Sequence, residues 1–583
     1  MEPTRNFDLI PFAAAEFSNR ILLGGKRNGQ WTTYTISQYQ SIIDDLGYGL
    51  MHKGFEPGDR VAIMSFNCPE WNFIDFGASQ IGGVTVPLYP TLSLNDLGYI
   101  LKDAGVKIAF VQNTELAQKV KTVASEVEVY VFEPSTEFPL WSEFLELGKQ
   151  HPNPAVLQAR KDSVQPDQLM TLIYTSGTTG FPKGVMLSHN NILSNVNACS
   201  AIFPMFREKT VLSFLPLCHI FERMVCYLYH KLGASIYYAE SMDTIADNLK
   251  EVKPYAFTTV PRLLEKVYDK IVAKGHDLTG IKKKLFFWAL ALGHSYELGN
   301  ANGWWYHTRL KIADKLIFSK WREALGGNVG VIVSGAAALQ PRLARVFTSA
   351  GISVLEGYGL TETSPVITVN RFEEEGRRFG SVGPVITGVE VKIAADGEIL
   401  CKGPNVMMGY YNKPEQTAEV LKDGWFYTGD VGELSADGFL KITDRKKEVF
   451  KTSGGKYVAP QPMENKFKES IFIEQIMVIG ENRKFPVALV VPALEPLRKW
   501  CEEQGIPAPT LASVVDHPSV RQLFEKEIQD MNTHFGQWEQ IKKFDLLPQE
   551  FSIDGGELTP TMKLKRKPIM ERYAERIEAM YKE

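Results

Sequence analysis

Arg60-Val-Ala-Ile-Met64, Val84-Thr-Val-Pro-Leu88 and Lys107-Ile-Ala-Phe-Val111 are three short apolar runs, each the length of one strand. Between them, Pro69–Ile81 and Leu94–Asp103 read as helices. Strands that alternate with helices build a parallel sheet covered on both faces. The alternation resumes at Tyr255–Val260 and Val329–Ser334, followed by a helix over Pro341–Ala350. From Gly380 to Thr443, short strands such as Val389–Ile393 and Glu398–Lys402 lie between Gly, Asp and Asn turns, the pattern of a small antiparallel barrel or sheet. The charged run Asp444-Arg-Lys-Lys-Glu448 reads as a linker or as a solvated face. After it comes a separate α+β unit, with strands at Phe472–Ile479 and Val487–Val491 and an amphipathic helix over Ser519–Thr533. The expected fold is α/β: a large N-terminal domain of doubly wound, mostly parallel sheets with a small β-barrel subdomain, then a small α+β domain. The expected limits are 1–443 for the first, its β-rich part at about 380–443, with 444–448 between and 449–583 for the second.

With 583 residues, 44% hydrophobic and 23% charged, the composition is that of a folded protein with more than one core. Lys+Arg 64 against Asp+Glu 68 leaves a net charge of −4, which excludes a general attraction to nucleic acid. The six cysteines (Cys68, Cys199, Cys218, Cys226, Cys401, Cys501) form no CxxC pair and suit a reducing compartment. Met1-Glu-Pro-Thr-Arg-Asn-Phe-Asp8 lacks the layout of a signal peptide. No apolar run reaches the roughly 18–20 residues that span a bilayer. The expected location is cytoplasmic, or peripheral on a membrane surface.

Thr175-Ser-Gly-Thr-Thr-Gly-Phe-Pro-Lys-Gly184 sits between the apolar runs Leu172-Ile-Tyr174 and Val185-Met-Leu187. Gly177 and Gly180 let successive N–H groups point into one concavity, which is how a loop wraps phosphate oxygens. The hydroxyls of Thr175, Ser176, Thr178 and Thr179 add donors, and Lys183 adds a mobile positive charge. Pro182 before the lysine and Gly184 after it exclude a Walker A loop. The loop is a nucleotide-phosphate site or a flexible turn.

Further on, Val331-Ile-Val-Ser leads into the small-residue turn Gly335-Ala336-Ala337, which admits a flat ring or a tightly packed helix. In Glu356-Gly-Tyr-Gly-Leu-Thr-Glu-Thr363, Tyr358 between Gly357 and Gly359 can offer its face to an aromatic base. Thr361 can donate to a phosphate, and Glu362 supplies a hard oxygen for Mg²⁺. Tyr427-Thr-Gly-Asp430 sets a carboxylate at a turn, suited to two ribose hydroxyls or to turn formation alone. The C-terminal unit offers Lys447, Lys451, the pair Gly454-Gly455 and a rigid Leu558-Thr-Pro turn just before Lys563.

Taken in order, these five motifs resemble the acyl-adenylate-forming superfamily over nearly the whole chain, and within it the long-chain fatty acyl-CoA synthetases. The resemblance implies a phosphate loop at Thr175–Gly184 and an adenine and magnesium motif at Glu356–Glu362. It implies a ribose-binding Asp430, a hinge at Asp444-Arg445 whose arginine approaches the ribose, and a catalytic Lys563. Gly335-Ala336-Ala337, Thr452-Ser-Gly-Gly-Lys-Tyr457 and Leu558-Thr-Pro-Thr-Met-Lys563 are similar to the long-chain branch in particular. The resemblance further implies a ligase that makes acyl-AMP from a fatty acid and ATP and passes the acyl group to CoA. Mg²⁺ would be held through Glu362 and Thr175, and the tail would swivel to admit CoA past Gly454-Gly455. Transfer to an acyl carrier protein, oxidation of the acyl group, and a non-catalytic lipid- or nucleotide-binding relative are the rival readings.

Two departures matter. Met562 stands where many short-chain and aryl relatives have glycine, which argues against those branches. Pro216-Leu-Cys-His-Ile-Phe-Glu-Arg223 lacks the tryptophan gate of some long-chain members, leaving Phe221 or Arg223 for that role. His219 is a substrate-pocket residue or a packed core histidine. Finally, Lys282-Lys-Lys-Leu-Phe-Phe-Trp-Ala-Leu-Ala-Leu292, Trp304-Trp-Tyr306 and Lys315–Trp321 make residues 282–321 aromatic and basic. That segment suits a lipid surface or an acyl access route, or a helix pair packed on the core.

Overall fold

The computed structural model describes residues 2–175, 181–552, 555–559 and 562–582. Ser176, Gly177, Thr178, Thr179 and Gly180 therefore lie outside the described residues, as do Pro560 and Thr561.

Two large sheets form the body of the N-terminal domain. The first runs, in spatial order, Gly409–Tyr410, Lys183–Ser188, Leu169–Thr175, Val84–Leu88, Arg60–Met64, Val106–Val111 and Glu128–Val131. Its last five strands are parallel, and three of them are the apolar runs near residues 60, 84 and 107 that the sequence marks as strands. The second sheet has eight strands, six of them parallel, from Ser353–Gly359 through Val331–Ser334 and Ala256–Thr259 to Ile21–Arg27. Helices such as Pro69–Ser79, Ile220–Lys231 and Pro341–Ser349 are bounded by the signals expected of them: proline at the first turn, or a side-chain cap. Each fully buried Val, Ile or Leu of these strands adds about 1.5–3 kcal/mol.

Pro87 shows how the sheet opens toward the site. It has no N–H to give, and the pairing of its strand with Leu169–Thr175 is confined to Thr85 and Thr171. Beyond that pair Pro87, Leu88, Ile173, Tyr174 and Thr175, at the carboxyl ends of the two strands, line a cavity. Ligands of open α/β sheets bind in such a crevice at the carboxyl ends of the strands.

The segment expected to be a small barrel forms an open five-stranded antiparallel sheet, a half-barrel, from Glu390–Ile393 to Leu440–Arg445. The C-terminal domain is separate. It has a three-stranded sheet (Ile473–Ile479, Val487–Pro492, Lys543–Leu546) and a core of its own built from residues such as Met477, Leu489, Phe524 and Ile569. No described helix is long and apolar enough to cross a membrane.

Candidate active site

A cavity of about 2280 Å³ lies where the first sheet's crevice, the second sheet, the half-barrel and the C-terminal domain meet. Thr175, Lys183, Tyr358, Glu362, Asp430 and Lys563 all line it, although they are spread over nearly 390 positions of sequence.

At one end, Thr175 and Lys183 are register partners at the neck of the hairpin Leu169–Thr175/Lys183–Ser188. Hairpin geometry thus sets both ends of the phosphate-loop candidate, whatever its tip does. The Lys183 ammonium lies 5.0 Å from the centre of the Tyr410 ring. Tyr410 Oη donates to Glu362 Oε1 at 2.8 Å. Thr361 is buried beside Glu362 and lines the same wall. Sequence reasoning missed Tyr410. Its only signal was the Gly409-Tyr-Tyr-Asn-Lys413 run just before a helix.

Next to this lies a flat slot. Gly335, Ala336 and Ala337 line it, with Ala336 at φ +69°. A Cβ on Gly335 would sit 3.1 Å from the Phe221 ring, so the small residue lets the ring close on the backbone. Burial pushes the Glu356 carboxyl up to about 8, while the N–H groups of Leu339 and Gly380 pull it back. Gly357 and Gly359 flank Tyr358, and a Cβ on Gly359 would lie 1.7 Å from the Pro365 carbonyl oxygen. No side chain fits there. Tyr358 Oη donates to Asp430 Oδ2 at 2.7 Å. Asp430 is the register partner of Arg445, whose Nε approaches Asp430 Oδ1 at 3.5 Å.

Lys563 enters from the C-terminal domain. Its N–H donates to Thr559 Oγ1 (3.0 Å) and its carbonyl accepts from Thr559 N–H (2.8 Å), closing a loop in which Met562 has φ +63°. Desolvation, and then the Arg445 charge, lower the Lys563 ammonium to about 8, against the opposing pull of Asp430, Glu448 and Glu362. The same lysine acts on His219. Burial first and Lys563 second bring the imidazole down to about 4, so His219 is neutral at pH 7. His219 Nδ1 accepts the N–H of Phe221 at 3.2 Å and thereby caps the helix Ile220–Lys231.

An apolar arm leaves this junction along Ile220–Lys231. Cys199, Phe203, Phe206, Met224 and Leu228 line it, and the Phe203 and Phe206 rings stack at 5.3 Å. None of these was singled out in the sequence, because an apolar helix face that lines a tunnel has the same period as one that meets core. Phe221 lies at the mouth of the arm. Arg223 does not, and the expectation that it could serve as a gate is incorrect. It is fully buried and bonded to Asp75, Tyr227, Thr171 and Thr85.

Other expected residues stand apart. Lys447 lines the cavity, whereas Lys451, Gly454 and Gly455 are not among its lining residues. The two glycines are exposed at the turn joining Phe450–Lys451 to Tyr457–Val458. Asp444 is buried, which raises its carboxyl to about 6. It accepts the N–H of Arg445 (2.6 Å) and of Gln461 (3.3 Å), tying the half-barrel to the first helix of the next domain.

A family model for AMP-binding enzymes matches residues 12–411, and one for the C-terminal domain of AMP-binding enzymes matches 447–583. The chain belongs to the AMP-binding enzyme family. Among curated relatives of this AMP-binding enzyme, the long-chain-fatty-acid–CoA ligase FadD15 of Mycobacterium bovis is 33% identical, covering 95% of this chain and 93% of its own. Long chain acyl-CoA synthetase 5 of Arabidopsis thaliana is also 33% identical, covering 99% and 91%. The o-succinylbenzoate–CoA synthetase of Bacillus subtilis, solved with ATP and magnesium ion, shares the fold at a TM-score of 0.67 and 19% identity, over 96% of this chain and 98% of that one.

Proposed function

We propose that this AMP-binding enzyme is an ATP-dependent ligase that activates a long-chain fatty acid as acyl-AMP, releasing pyrophosphate, and then transfers the acyl group to CoA with release of AMP. One observation carries the reading. A lysine from a separate domain shares a cavity with Thr175 and Lys183, with a carboxylate–tyrosine pair and with an apolar arm. The 33% identity to curated long-chain ligases over nearly the whole chain supports the substrate class.

The assignments follow from charge. A carboxylate resists attack because it is anionic and has no leaving group, so it must first be joined to phosphate as a mixed anhydride. As it attacks the α-phosphorus, negative charge builds on the α-phosphate and on the departing pyrophosphate, and fixed cationic donors lower that barrier. Thr175, Lys183 and the loop between them would receive the β- and γ-phosphates. Lys563 would bridge the fatty carboxylate and the α-phosphate. Asp430 would accept the ribose hydroxyls with Arg445 beside it, and Tyr358 would lie against the adenine. Thr175 and Glu362 fit magnesium in kind, as hard oxygens that leave most of the shell to substrate phosphates and water. When bound, the ion supplies neutralisation of phosphate charge. The apolar arm from Phe221 to Phe206 would take the alkyl chain.

The second step needs space for a thiol where Lys563 stands. Residues 444–448 would act as the hinge between domains at about 1–443 and 449–583, and rotation there would withdraw Lys563 and bring Gly454-Gly455 to the cavity. Three ion pairs hold the present arrangement. Arg262 donates to the Glu474 carbonyl at 2.7 Å and pairs with its carboxylate, Lys468 meets Glu265 at 3.7 Å, and Lys499 meets Asp277 at 2.8 Å. Arg262→Ala is therefore expected to slow adenylation by roughly fivefold without slowing thioester formation from preformed acyl-AMP. Single-turnover measurement of each half-reaction checks this.

The test of the function is a chain-length scan of AMP release with CoA, with a carrier protein, and with neither. CoA-dependent AMP release that peaks on long chains is expected. No fatty-acid-dependent ATP–pyrophosphate exchange at any chain length would end the proposal.

A further inference from the structure

We propose that the outer face of the helices Gly280–His294 and Gly303–Ala313 is a docking surface for an anionic lipid bilayer. The sequence left this segment undecided between lipid contact and core packing, and the structure divides the two roles between faces. Inward, Phe286, Ala289 and Leu290 of the first helix, which packs on the helix Pro341–Ser349, and Ala313 of the second are buried in one core cluster, and Pro341 lines the cavity. Outward, the second helix keeps large apolar groups in solvent. Trp304 is 67% exposed, Trp305 66%, Ile312 50% and, just beyond, Leu316 42%.

These outward groups are spaced to form a face. Trp305, Arg309, Ile312 and Leu316 recur at helical intervals, so they lie along one side. The Trp304 and Trp305 rings are stacked with centroids 4.0 Å apart, a preformed aromatic wedge. Arg309 lies 5.8 Å from the Trp288 ring of the neighbouring helix and joins the two helices into one surface. An isolated exposed tryptophan needs no explanation. A stacked pair continued by Ile and Leu is an apolar patch of the kind that marks an interaction site.

Charge selects the occupant. Residues 280–322 contain six lysines and two arginines but only two acids, Glu297 and Asp314, in a chain whose net charge is −4. Both acids are already paired, with Arg345 and Arg322. Lys311 and Lys315 flank the apolar stripe and are exposed. Tryptophan at the headgroup level with lysines around it suits the boundary of an anionic bilayer, where apolar burial and attraction to lipid phosphate act together. A second copy of this chain would bring the same positive face and be repelled.

The surface lies outside the proposed catalytic groups, so it can be tested without turnover. Co-sedimentation with phosphatidylcholine vesicles, with and without phosphatidylglycerol, is compared for the full chain, for Trp304→Glu/Trp305→Glu and for Lys311→Glu/Lys315→Glu. The wild type is expected to pellet with the anionic vesicles, and less as salt rises. Each double variant should bind roughly tenfold more weakly or worse while keeping its circular dichroism and its ATP–pyrophosphate exchange with a water-soluble acyl substrate. Failure of the wild type to pellet with anionic vesicles, or equal pelleting of the variants, would overturn the proposal. So would a dimer in solution that the tryptophan substitutions dissociate, since that would give the patch to a second copy.

Discussion

Lys563→Ala is expected to lower fatty-acid-dependent ATP–pyrophosphate exchange by roughly 10²–10³-fold, the loss of about 2.7–4 kcal/mol typical of one preorganised donor. CoA thioester formation from preformed acyl-AMP should keep its wild-type rate, because the proposed second step has no place for this side chain. Equal loss on both halves would contradict the assignment. The environment of the lysine adds a pH signature. Its ammonium is brought down from the ordinary 10.5 to about 8, chiefly by desolvation and then by Arg445. The free enzyme therefore carries the needed charge at pH 7 and loses it as pH rises through about 8. An alkaline limb near pH 8 is expected in kcat/KM for ATP, which reports groups of the free enzyme. Lys563→Arg should be slower, since the planar guanidinium cannot copy a compact ammonium, but it stays charged and should lose that limb. A limb unchanged in the arginine variant would assign it to another group.

Most of this architecture was legible because it rests on local rules. Val84–Leu88 and Val106–Val111 read as strands from apolarity alone, and the helix Leu94–Ala104 is stopped by Gly105 in the left-handed conformation. The candidate site was legible only in part, for a physical reason. Glycine and small-residue turns leave a trace because few residues can replace them, as at Gly359, where the Pro365 carbonyl excludes any Cβ. Tyr410 on Glu362 and Arg262 on Glu474 leave almost none, since each contact joins residues far apart in the chain, and the arm between Phe203 and Leu228 leaves none because its apolar period is that of core. The half-barrel was foreseen as a small antiparallel barrel or sheet, because alternation and turns fix strand pairing but not closure. Arg223 misled for a related reason. In sequence it stands two residues from Phe221, and on a helix that spacing points the two side chains apart, one to the cavity mouth and the other into the core.

That buried arginine carries the largest stability effect. Arg223 and Asp75 are both wholly excluded from solvent, and Tyr227 also donates to the Asp75 carboxylate. The pair joins the helix Pro69–Ser79 to Ile220–Lys231, while the hydroxyls of Thr85 and Thr171 tie the arginine to the first sheet. Asp75→Asn would leave a guanidinium charge in the interior without its counter-ion, and breaking such a pair costs about 3–5 kcal/mol. A matching fall in stability of the N-terminal domain is expected by calorimetry or denaturant titration. The apolar pair Asp75→Leu with Arg223→Met should recover most of it, because replacing both charges removes the desolvation penalty along with the attraction. Function should separate the two variants further. His219 and Phe221 stand at the start of the same helix, so any shift of Ile220–Lys231 moves the cavity mouth and should raise KM for the fatty acid more than KM for ATP. A stability change in Asp75→Asn below about 1 kcal/mol, the range of an exposed pair, would mean that water reaches the site and that the helix is held by packing alone.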